Sequence, residues 1–303
     1  MELLKSQRWL PLVAGVEAAP LVEFDEYRLL RRLGESSRVY LAQDTLLDRL
    51  VAVKFVHAPD RRSLEHFLVE ARTAARIQHP NVASLYRVGQ LDGGAYLVSE
   101  YVHGRQLGQI ERPVPFARVL EIACDLARGL SAAHRRGVLH CDLNPRNALV
   151  TEEGQVKIVD FGLARLLLPT AGTDEAPERA LVGTPYHIPP EAWRGEALTV
   201  RSDLYSLGAI LFELCAGRVP FHDVPPHLVG HVAAEREAPP LLSLVPDLQP
   251  GLAAAVDRCL RREPRERFGT ADDLLEELER ARPGRRIPVP EGNPYRGLQA
   301  FQP

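Results

Sequence analysis

Three polar side chains stand at short intervals in the segment between His140 and Gly162. Asp142 is followed five residues later by Asn147, and Asn147 thirteen residues later by Asp160. A carboxylate can orient a hydroxyl group and accept its proton, as a general base does. A side-chain amide and a second carboxylate offer hard oxygen atoms, which Mg²⁺ prefers as ligands. The segment therefore supplies a candidate proton acceptor and two candidate ligands for a divalent cation.

The strings around these residues, HCDLNPRNALV and VDFG, resemble the catalytic and metal-binding segments of the protein kinase family. The resemblance implies phosphoryl transfer from ATP, in which catalysis consists mainly of positioning and charge neutralisation around Mg²⁺. It implies that Asp142 binds the acceptor hydroxyl and that Asn147 and Asp160 bind Mg²⁺. It also implies that His140 packs beneath Phe161 in the core and is not a base.

Lysine is rare in this chain, which makes Lys54 conspicuous. Of the 37 basic residues only Lys5, Lys54 and Lys157 are lysine. Lys54 lies in the string VAVKF, which resembles the third-strand lysine motif of the kinases. Sixteen residues later, Glu70 lies in 63–78, where apolar residues recur at helical intervals. The resemblance implies that Glu70 pairs with Lys54 and aims its ammonium group at the α and β phosphates.

The resemblance extends to a nucleotide pocket. Gly34 precedes Val39 by five positions where the family's glycine-rich loop has seven, and two of that loop's three glycines are absent. Because glycines let backbone amides approach phosphate, we expect weaker cover of the nucleotide. The run 96–102 resembles the hinge, whose backbone at Glu100 and Val102 would bind adenine. The implied nucleotide-binding residues are Leu33, Gly34, Val39, Ala52, Lys54, Glu100, Val102 and Leu149.

Two basic residues of the family pattern are replaced next to Asp142. Cys141 stands where the family has an arginine that clamps a phosphorylated activation segment, so we expect activation here not to depend on such a phosphate. Asn144 stands where Ser/Thr kinases have a lysine that steadies the γ-phosphate. Replacing that positive charge should lower the rate by about 10²-fold to 10³-fold, by analogy with the removal of a hydrogen-bond donor from an oxyanion hole. Arg146 compensates only if its geometry allows. An active kinase, a nucleotide-binding pseudokinase and a nucleotide-independent scaffold therefore remain as three hypotheses.

The resemblance also implies an acceptor and three structural residues. Pro145 and Thr184 match the loops of serine/threonine-specific kinases, so the expected acceptor is a Ser or Thr hydroxyl of a protein substrate. Glu191 is expected to form a bidentate ion pair with Arg267. Asp203 is expected to brace the backbone of the catalytic loop.

Apolar residues also recur at helical intervals in later parts of the chain. They predict a long buried helix at 115–134 and an apolar helix at 204–216. Thr270 is predicted to cap a last helix, which runs through Arg280.

One domain accounts for most of the chain, since 303 residues suffice for a two-lobed catalytic unit but not for a second full domain. The predicted fold is the α+β, two-lobed protein kinase fold over 27–282. Its mainly β N-lobe covers about 27–100 and its mainly α C-lobe about 103–282. Residues 1–26 form an N-terminal extension. Residues 283–303 form a Pro/Gly/Arg-rich linker whose end resembles the opening of a STAND-type NTPase module, although an arbitrary disordered tail fits the short match equally.

Composition argues against several other classes of protein. A net charge of −3 without a basic stripe argues against binding to nucleic acid. The four cysteines are far apart, which argues against a zinc site or a disulfide scaffold and favours reduced thiols in the cytoplasm. The apolar run 9–22 is interrupted by Pro11, Glu17 and Pro20 and is too short for a membrane-spanning helix. We therefore expect a cytoplasmic protein that uses ATP and Mg²⁺.

Overall fold

The computed structural model describes residues 23–34, 38–57, 61–91, 94–161 and 185–282. Thr184, Gly162, the loop residues 35–37, the predicted linker 283–303 and most of the predicted N-terminal extension lie outside these ranges. What was expected of them stays a prediction.

An antiparallel sheet of six strands forms the N-terminal lobe. The strands are β1 Glu23–Phe24, β2 Tyr27–Arg32, β3 Val39–Asp44, β4 Arg49–His57, β5 Leu85–Leu91 and β6 Gly94–Glu100. Their spatial order is β1-β2-β3-β4-β6-β5. Apolar and aromatic side chains form the core of this sheet, where Val51, Val53 and Val98 pack with Tyr27 and Tyr96. These β-branched and aromatic residues suit the pleated surface of a strand.

The helix α1 (Arg61–Ala74) packs on this sheet. It buries Phe67 and Ala71 against strand residues of the lobe. The helix predicted at 63–78 is present but ends four residues earlier. Arg76 and Ile77 donate to the carbonyl oxygens of Thr73 and Ala74 at 3.1 and 3.0 Å, and such bonds across three residues tighten and end the last turn of a helix.

Helices form most of the C-terminal lobe. They are α2 Phe116–His134, α3 Pro190–Trp193, α4 Val200–Ala216, α5 Val229–Glu235, α6 Pro250–Cys259 and α7 Ala271–Arg280. The apolar faces of α2 and α4 meet in the core, where Leu126, Leu130, Leu207 and Phe212 are fully buried. Among the described residues, no helix combines the length and the apolar character needed to span a bilayer.

Capping residues set the start of two of these helices. Thr199 accepts a hydrogen bond from Arg201 N and forms a reciprocal capping box with Ser202. As a result, α4 begins four residues before the predicted start of this helix at Leu204. Thr270 caps α7 as predicted, because its Oγ1 accepts a hydrogen bond from the backbone nitrogen of the third residue of the helix.

Three short strands form a second sheet next to the predicted catalytic segment. They are β7 Gly104–Gln106, β8 Ala148–Thr151 and β9 Val156–Ile158, paired in that order. β8 and β9 form a hairpin in which Ala148 lies opposite Ile158. The chain therefore enters β8 and leaves β9 at the same end of the hairpin, which brings Asn147 close to the segment that carries Asp160.

The packing of α4 generates a prediction for stability. Phe212 is fully buried, so Phe212→Ala should lower the free energy of unfolding by about 3–5 kcal/mol through lost burial and a residual cavity. Equilibrium urea unfolding measures this change. Val69 on α1 is 60% exposed, and Val69→Ala, as the control, should change stability by less than about 0.5 kcal/mol. Equal losses in the two variants would contradict the placement of Phe212.

Candidate active site

Asp142 lies exposed on the loop between α2 and β8, and two side-chain amides fix its carboxylate. Asn144 Nδ2 donates to Asp142 Oδ1 at 3.1 Å, and Asn147 Nδ2 donates to Asp142 Oδ2 at 3.2 Å. The same two nitrogens donate to the carbonyl oxygen of Asp142 at 3.0 and 2.8 Å. Each carboxylate oxygen thus has one donor, which holds the group in one orientation.

Asn144 also fixes the backbone of this loop. Its side chain is buried, and its Oδ1 accepts a hydrogen bond from Arg146 N at 2.9 Å. The amide therefore uses both its donor and its acceptor within the loop. Asn144 positions Asp142 but adds no positive charge, unlike the lysine that the resemblance would place here.

Lys54 on β4 forms an ion pair with Asp160. Lys54 Nζ lies 2.8 Å from Asp160 Oδ2, and the two side chains are 26% and 30% exposed. A pair with this exposure lies where a ligand can reach it. The predicted partner, Glu70, lies half-buried on α1. The pairing of Lys54 with Glu70 stays a prediction.

The β8–β9 hairpin brings Asn147 and Asp160 together. Val159 N donates to the carbonyl oxygen of Asn147 at 3.0 Å, and Asp160 is the next residue. Asp160 and Cys141 each have a φ of 64°, in the left-handed region. Non-glycine residues in this region are uncommon, and such strain clusters at functional sites. Both positions adjoin the predicted chemistry.

The side chains present fit the Mg²⁺ that the resemblance implies. Asn147 uses its amide nitrogen on Asp142, which leaves Oδ1 as its metal-binding atom. Asp160 engages Oδ2 with Lys54, which leaves its second carboxylate oxygen. One amide and one carboxylate oxygen suit a cation that keeps several waters and binds phosphate oxygens. Within the described ranges no cluster of three His, Cys, Asp or Glu side chains is placed to hold a metal.

His140 lies in the core against Phe161, with 4.8 Å between the ring centroids. Asp142 N donates to His140 Nδ1 at 3.2 Å, and His140 Nε2 lies 3.0 Å from the carbonyl oxygen of Val159. An N–H needs an acceptor and a carbonyl needs a donor, so the neutral ring with its proton on Nε2 satisfies both contacts. His140 thus packs against Phe161 where the resemblance placed it, and the prediction that it is not a base stays a prediction.

Asp203, in the first turn of α4, holds the start of the catalytic loop. Its Oδ2 accepts from His140 N at 2.8 Å, and its Oδ1 accepts from Cys141 N at 2.9 Å. His134 Nε2 also lies 2.8 Å from Oδ2, and the Asp203 side chain is only 2% exposed. A carboxylate is tolerated in such a place because several donors satisfy it. Sequence analysis missed His134, since one histidine at a helix end forms no motif.

The register of the N-lobe sheet places predicted residues of the adenine pocket on one face of the sheet. Val39 lies opposite Lys54, and Ala52 lies two residues before Lys54 on the same strand. Opposite residues and residues two apart share a face of a sheet, so these three side chains lie on one face. Leu149 lies on β8, in the other sheet.

The edges of this pocket are the hinge and the loop after β2. Glu100 ends β6, and Val102, two residues on, is buried. On the loop side, Leu33 N donates to the carbonyl oxygen of Val39 at 2.7 Å. Gly34 follows with a φ of 91°, a backbone conformation that favours glycine. Their binding of nucleotide stays a prediction.

Glu191 and Arg267 form a buried bidentate ion pair. Arg267 Nη1 lies 2.7 Å from Glu191 Oε1 and Nη2 lies 2.8 Å from Oε2, with both side chains at most 2% exposed. Arg267 also donates to the carbonyl oxygens of Arg201, Arg261 and Arg262. The pair is thus fully hydrogen-bonded, and it links α3 to the segment before α7.

A second ionic group, to which sequence analysis gave no role, is partly buried and consists of His187, Glu213 and Arg112. His187 Nε2 lies 3.0 Å from Glu213 Oε2, and Arg112 Nη1 lies 2.7 Å from Glu213 Oε1. Burial raises the pKa of Glu213, but the hydrogen bond with His187 and the charges of His187 and Arg112 outweigh it, so the net pKa is lowered. Glu213 therefore stays ionised and ties the chain at His187 to α4.

Comparison with known protein families matches residues 27–278 to the protein kinase domain. The chain belongs to the protein kinase family. A crystal structure of a mutant PknI kinase domain from Mycobacterium tuberculosis is similar, with a TM-score of 0.68 and 27% sequence identity. The likeness covers 88% of this chain and 99% of that one. The predicted two-lobed kinase fold is confirmed.

Bacterial serine/threonine-protein kinases are similar to this kinase domain in sequence. PknB of Mycolicibacterium smegmatis is 33% identical over 279 residues, which cover 88% of this chain and 44% of PknB. PksC of Streptomyces coelicolor is 36% identical, with 84% and 48% covered. PrkC of Bacillus subtilis is 32% identical, with 84% and 40% covered. The chain therefore spans less than half the length of these relatives.

The buried ion pair generates a second prediction for stability. Arg267→Met leaves the Glu191 carboxylate buried without its partner, so the free energy of unfolding should fall by about 3–5 kcal/mol. Equilibrium urea unfolding measures the loss. Arg280→Met removes exposed pairs with Glu276 and Glu277 and should cost no more than about 1 kcal/mol. A loss for Arg267→Met no larger than that control would contradict the prediction.

Proposed function

We propose that this chain transfers the γ-phosphate of ATP, bound with Mg²⁺, to serine or threonine hydroxyls of protein substrates. The observation that carries the proposal is Asp142, held by the amides of Asn144 and Asn147 in a site that also contains the Lys54–Asp160 pair. A positioned carboxylate, an ammonium group and two oxygen ligands are what phosphoryl transfer requires. The names of the bacterial relatives support Ser or Thr as the acceptor.

In the proposed reaction, Asp142 binds the acceptor hydroxyl. Its carboxylate keeps its orientation because each oxygen already holds one amide donor, and further lone pairs remain for the incoming O–H. Most of the contribution is orientation of the hydroxyl oxygen toward the γ-phosphorus. The hydroxyl proton moves to Asp142 as the new P–O bond forms, while the bond between the γ-phosphorus and the bridging oxygen breaks and ADP leaves.

Lys54 contributes positive charge to the proposed phosphate site, where its ammonium group would contact the α and β phosphates. Its ion pair with Asp160 offsets part of the cost of removing that charge from water. We propose that Glu70, on α1, shares this ammonium group when nucleotide is bound. Mg²⁺, held by Asn147 and Asp160, would supply positive charge beside the phosphate oxygens.

The adenine ring of the nucleotide is proposed to lie between the two sheets, against the apolar side chains described above. Apolar walls with a few polar groups at the edge are typical of nucleotide pockets. The hinge backbone would bind adenine, and the loop after β2 would cover the phosphates. The proposed residues are Leu33, Gly34, Val39, Ala52, Glu100, Val102 and Leu149.

A nucleotide-binding pseudokinase is the second candidate function. The specific observation is Asn144, whose neutral amide is used entirely within the loop. On this hypothesis Mg²⁺ with ATP raises the melting temperature, as any ligand of the folded state does, without turnover. A chain that shows no thermal shift with ATP would instead be a nucleotide-independent scaffold.

Four further proposals concern the domain bounds, the loop after β2, the C-terminal segment and the location of the protein. We propose that the kinase domain covers 27–282 and that the short loop after Gly34 covers the phosphates of the nucleotide less completely than a full glycine-rich loop. We further propose that 283–303 is a linker whose end opens an NTPase module of a longer signalling protein. The cytoplasm, where ATP is abundant, is the proposed location.

The role of Asp142 generates a prediction for activity. Asp142→Asn removes the proton acceptor, so phosphate transfer should fall by at least about 10²-fold. Radiolabel transfer from ATP with Mg²⁺ to a generic protein acceptor measures the rate. Asp247 is exposed outside the site, and Asp247→Asn, as the matched control, should leave the rate unchanged. Equal labelling by the unmodified chain and by Asp142→Asn would remove the kinase proposal.

Asn144 generates a prediction in the opposite direction. Asn144→Lys adds the positive charge that the loop lacks, so kcat should rise by about 10-fold to 10²-fold. Steady-state kinetics with saturating ATP measures the change. In a pseudokinase the same variant would convert binding without turnover into measurable transfer. An unchanged kcat would show that this charge does not limit the reaction.

A further inference from the structure

We propose that Lys157 is a positioning residue for nucleotide binding, which acts by holding the hinge at Glu100 at a set distance from Leu149 on β8. The proposal rests on the nucleotide site proposed above, and it names a residue outside that site. Neither the kinase motifs nor the predicted pocket assigned a role to Lys157.

Glu100 is fixed through both its backbone and its side chain. Its N–H donates to the carbonyl oxygen of Ser84 at 2.8 Å, and its Oε2 accepts from Ser84 N at 3.2 Å. Its Oε1 lies 2.6 Å from Lys157 Nζ, with the two side chains 24% and 17% exposed. Glu100 is thus held by Ser84 on one side and by Lys157 on the other, and the contact with Lys157 is a short, partly buried ion pair.

Lys157 joins the hinge to the opposite side of the proposed pocket. It lies on β9 directly opposite Leu149 on β8. Directly opposite residues of an antiparallel pair present their side chains on the same face. The stem of Lys157 therefore starts beside the predicted adenine contact, and its ammonium group ends on the predicted hinge contact.

A backbone path runs parallel to this side chain. Segment 81–84 lies along β9, where Ile158 donates to the carbonyl of Asn81 and accepts from the N–H of Ala83, both at 2.9 Å. The last residue of the segment makes the two bonds to the hinge described above. The Lys157–Glu100 ion pair closes this path into a ring that includes both the hinge and β9.

Loss of the ammonium group would open the ring on one side. The Glu100 carboxylate would then be partly buried without its cation, and it would gain by turning toward water. Its backbone, which is proposed to bind adenine, would move with it. Among the described residues, Asp142 and Lys54 share no hydrogen bond or ion pair with Lys157, so binding should suffer more than the chemical step.

Calorimetric titration of ADP with Mg²⁺ into the full chain tests the proposal without requiring turnover. Lys157→Met should weaken ADP binding by about 5-fold to 20-fold, because part of the free energy of one charge-assisted hydrogen bond would be lost from binding. Glu100→Gln should weaken it in the same direction. The double variant should bind no more weakly than Lys157→Met alone, because the same pair is lost only once. Where transfer is measurable, KM for ATP should rise while kcat changes less than about 2-fold.

Arg128→Met is the matched control. It removes partly buried ion pairs with Glu279 and Asp125, 3.1 and 3.4 Å long, away from the hinge. Asp125 keeps its hydrogen bond from Val156 N on β9, so the strand that carries Lys157 stays attached to α2. This variant should bind ADP as the unmodified chain does, even if its melting temperature falls. Equal weakening by the control would show a general loss of structure and would overturn the assignment of Lys157.

The remaining outcomes separate this proposal from the proposed function. Equal ADP affinity in Lys157→Met and the unmodified chain would overturn the role of Lys157 alone. So would losses that multiply in the double variant, or a fall in kcat as large as the rise in KM. Absence of ADP binding by the unmodified chain would overturn both proposals.

Discussion

One buried carboxylate sets the position of the catalytic loop. Asp203 accepts hydrogen bonds from two consecutive backbone N–H groups of that loop and contacts the ring of His134, with almost no access to water. A buried carboxylate without such donors would cost several kcal/mol. Movement of the loop away from α4 would leave Asp203 in that state, so the observed arrangement is favoured. The position of Asp142 relative to the core therefore depends on a residue 61 positions further along the chain.

Beyond Asp203, neutral hydrogen bonds and the register of the strands position more of the site than ion pairs do. Neutral amides hold the proposed proton acceptor, and the hairpin register places Asn147 beside the segment of Asp160. Lys54 and Lys157, the lysines of the described ranges, each form an ion pair with a carboxylate, Asp160 and Glu100 respectively. On the proposed function, orientation of the reacting groups would supply most of the catalysis, and Asn144 is the position where the loop lacks a positive charge.

The sequence allowed prediction of what short patterns encode, and less of what depends on distant contacts. The kinase motifs predicted the two-lobed fold, and helical periodicity predicted α1 and α2 to within a few residues. The start of α4 was missed because its capping box uses Ser202, which lacks the usual acidic or amide signature. The ion pair of Lys54 with Asp160 joins residues 106 positions apart, and no local pattern encodes such a distance. Lys157 was missed for the same reason.

The two kinds of contact in the site differ in how ions in solution affect them. Dissolved salt screens interactions between accessible charges over a Debye length of about 8 Å at physiological ionic strength. Lys54 and Asp160 are accessible enough to be weakened in this way, whereas the amide hydrogen bonds on Asp142 have no second full charge to screen. Concentrated electrolyte should therefore loosen the phosphate side of the cleft and leave the alignment of the acceptor side intact.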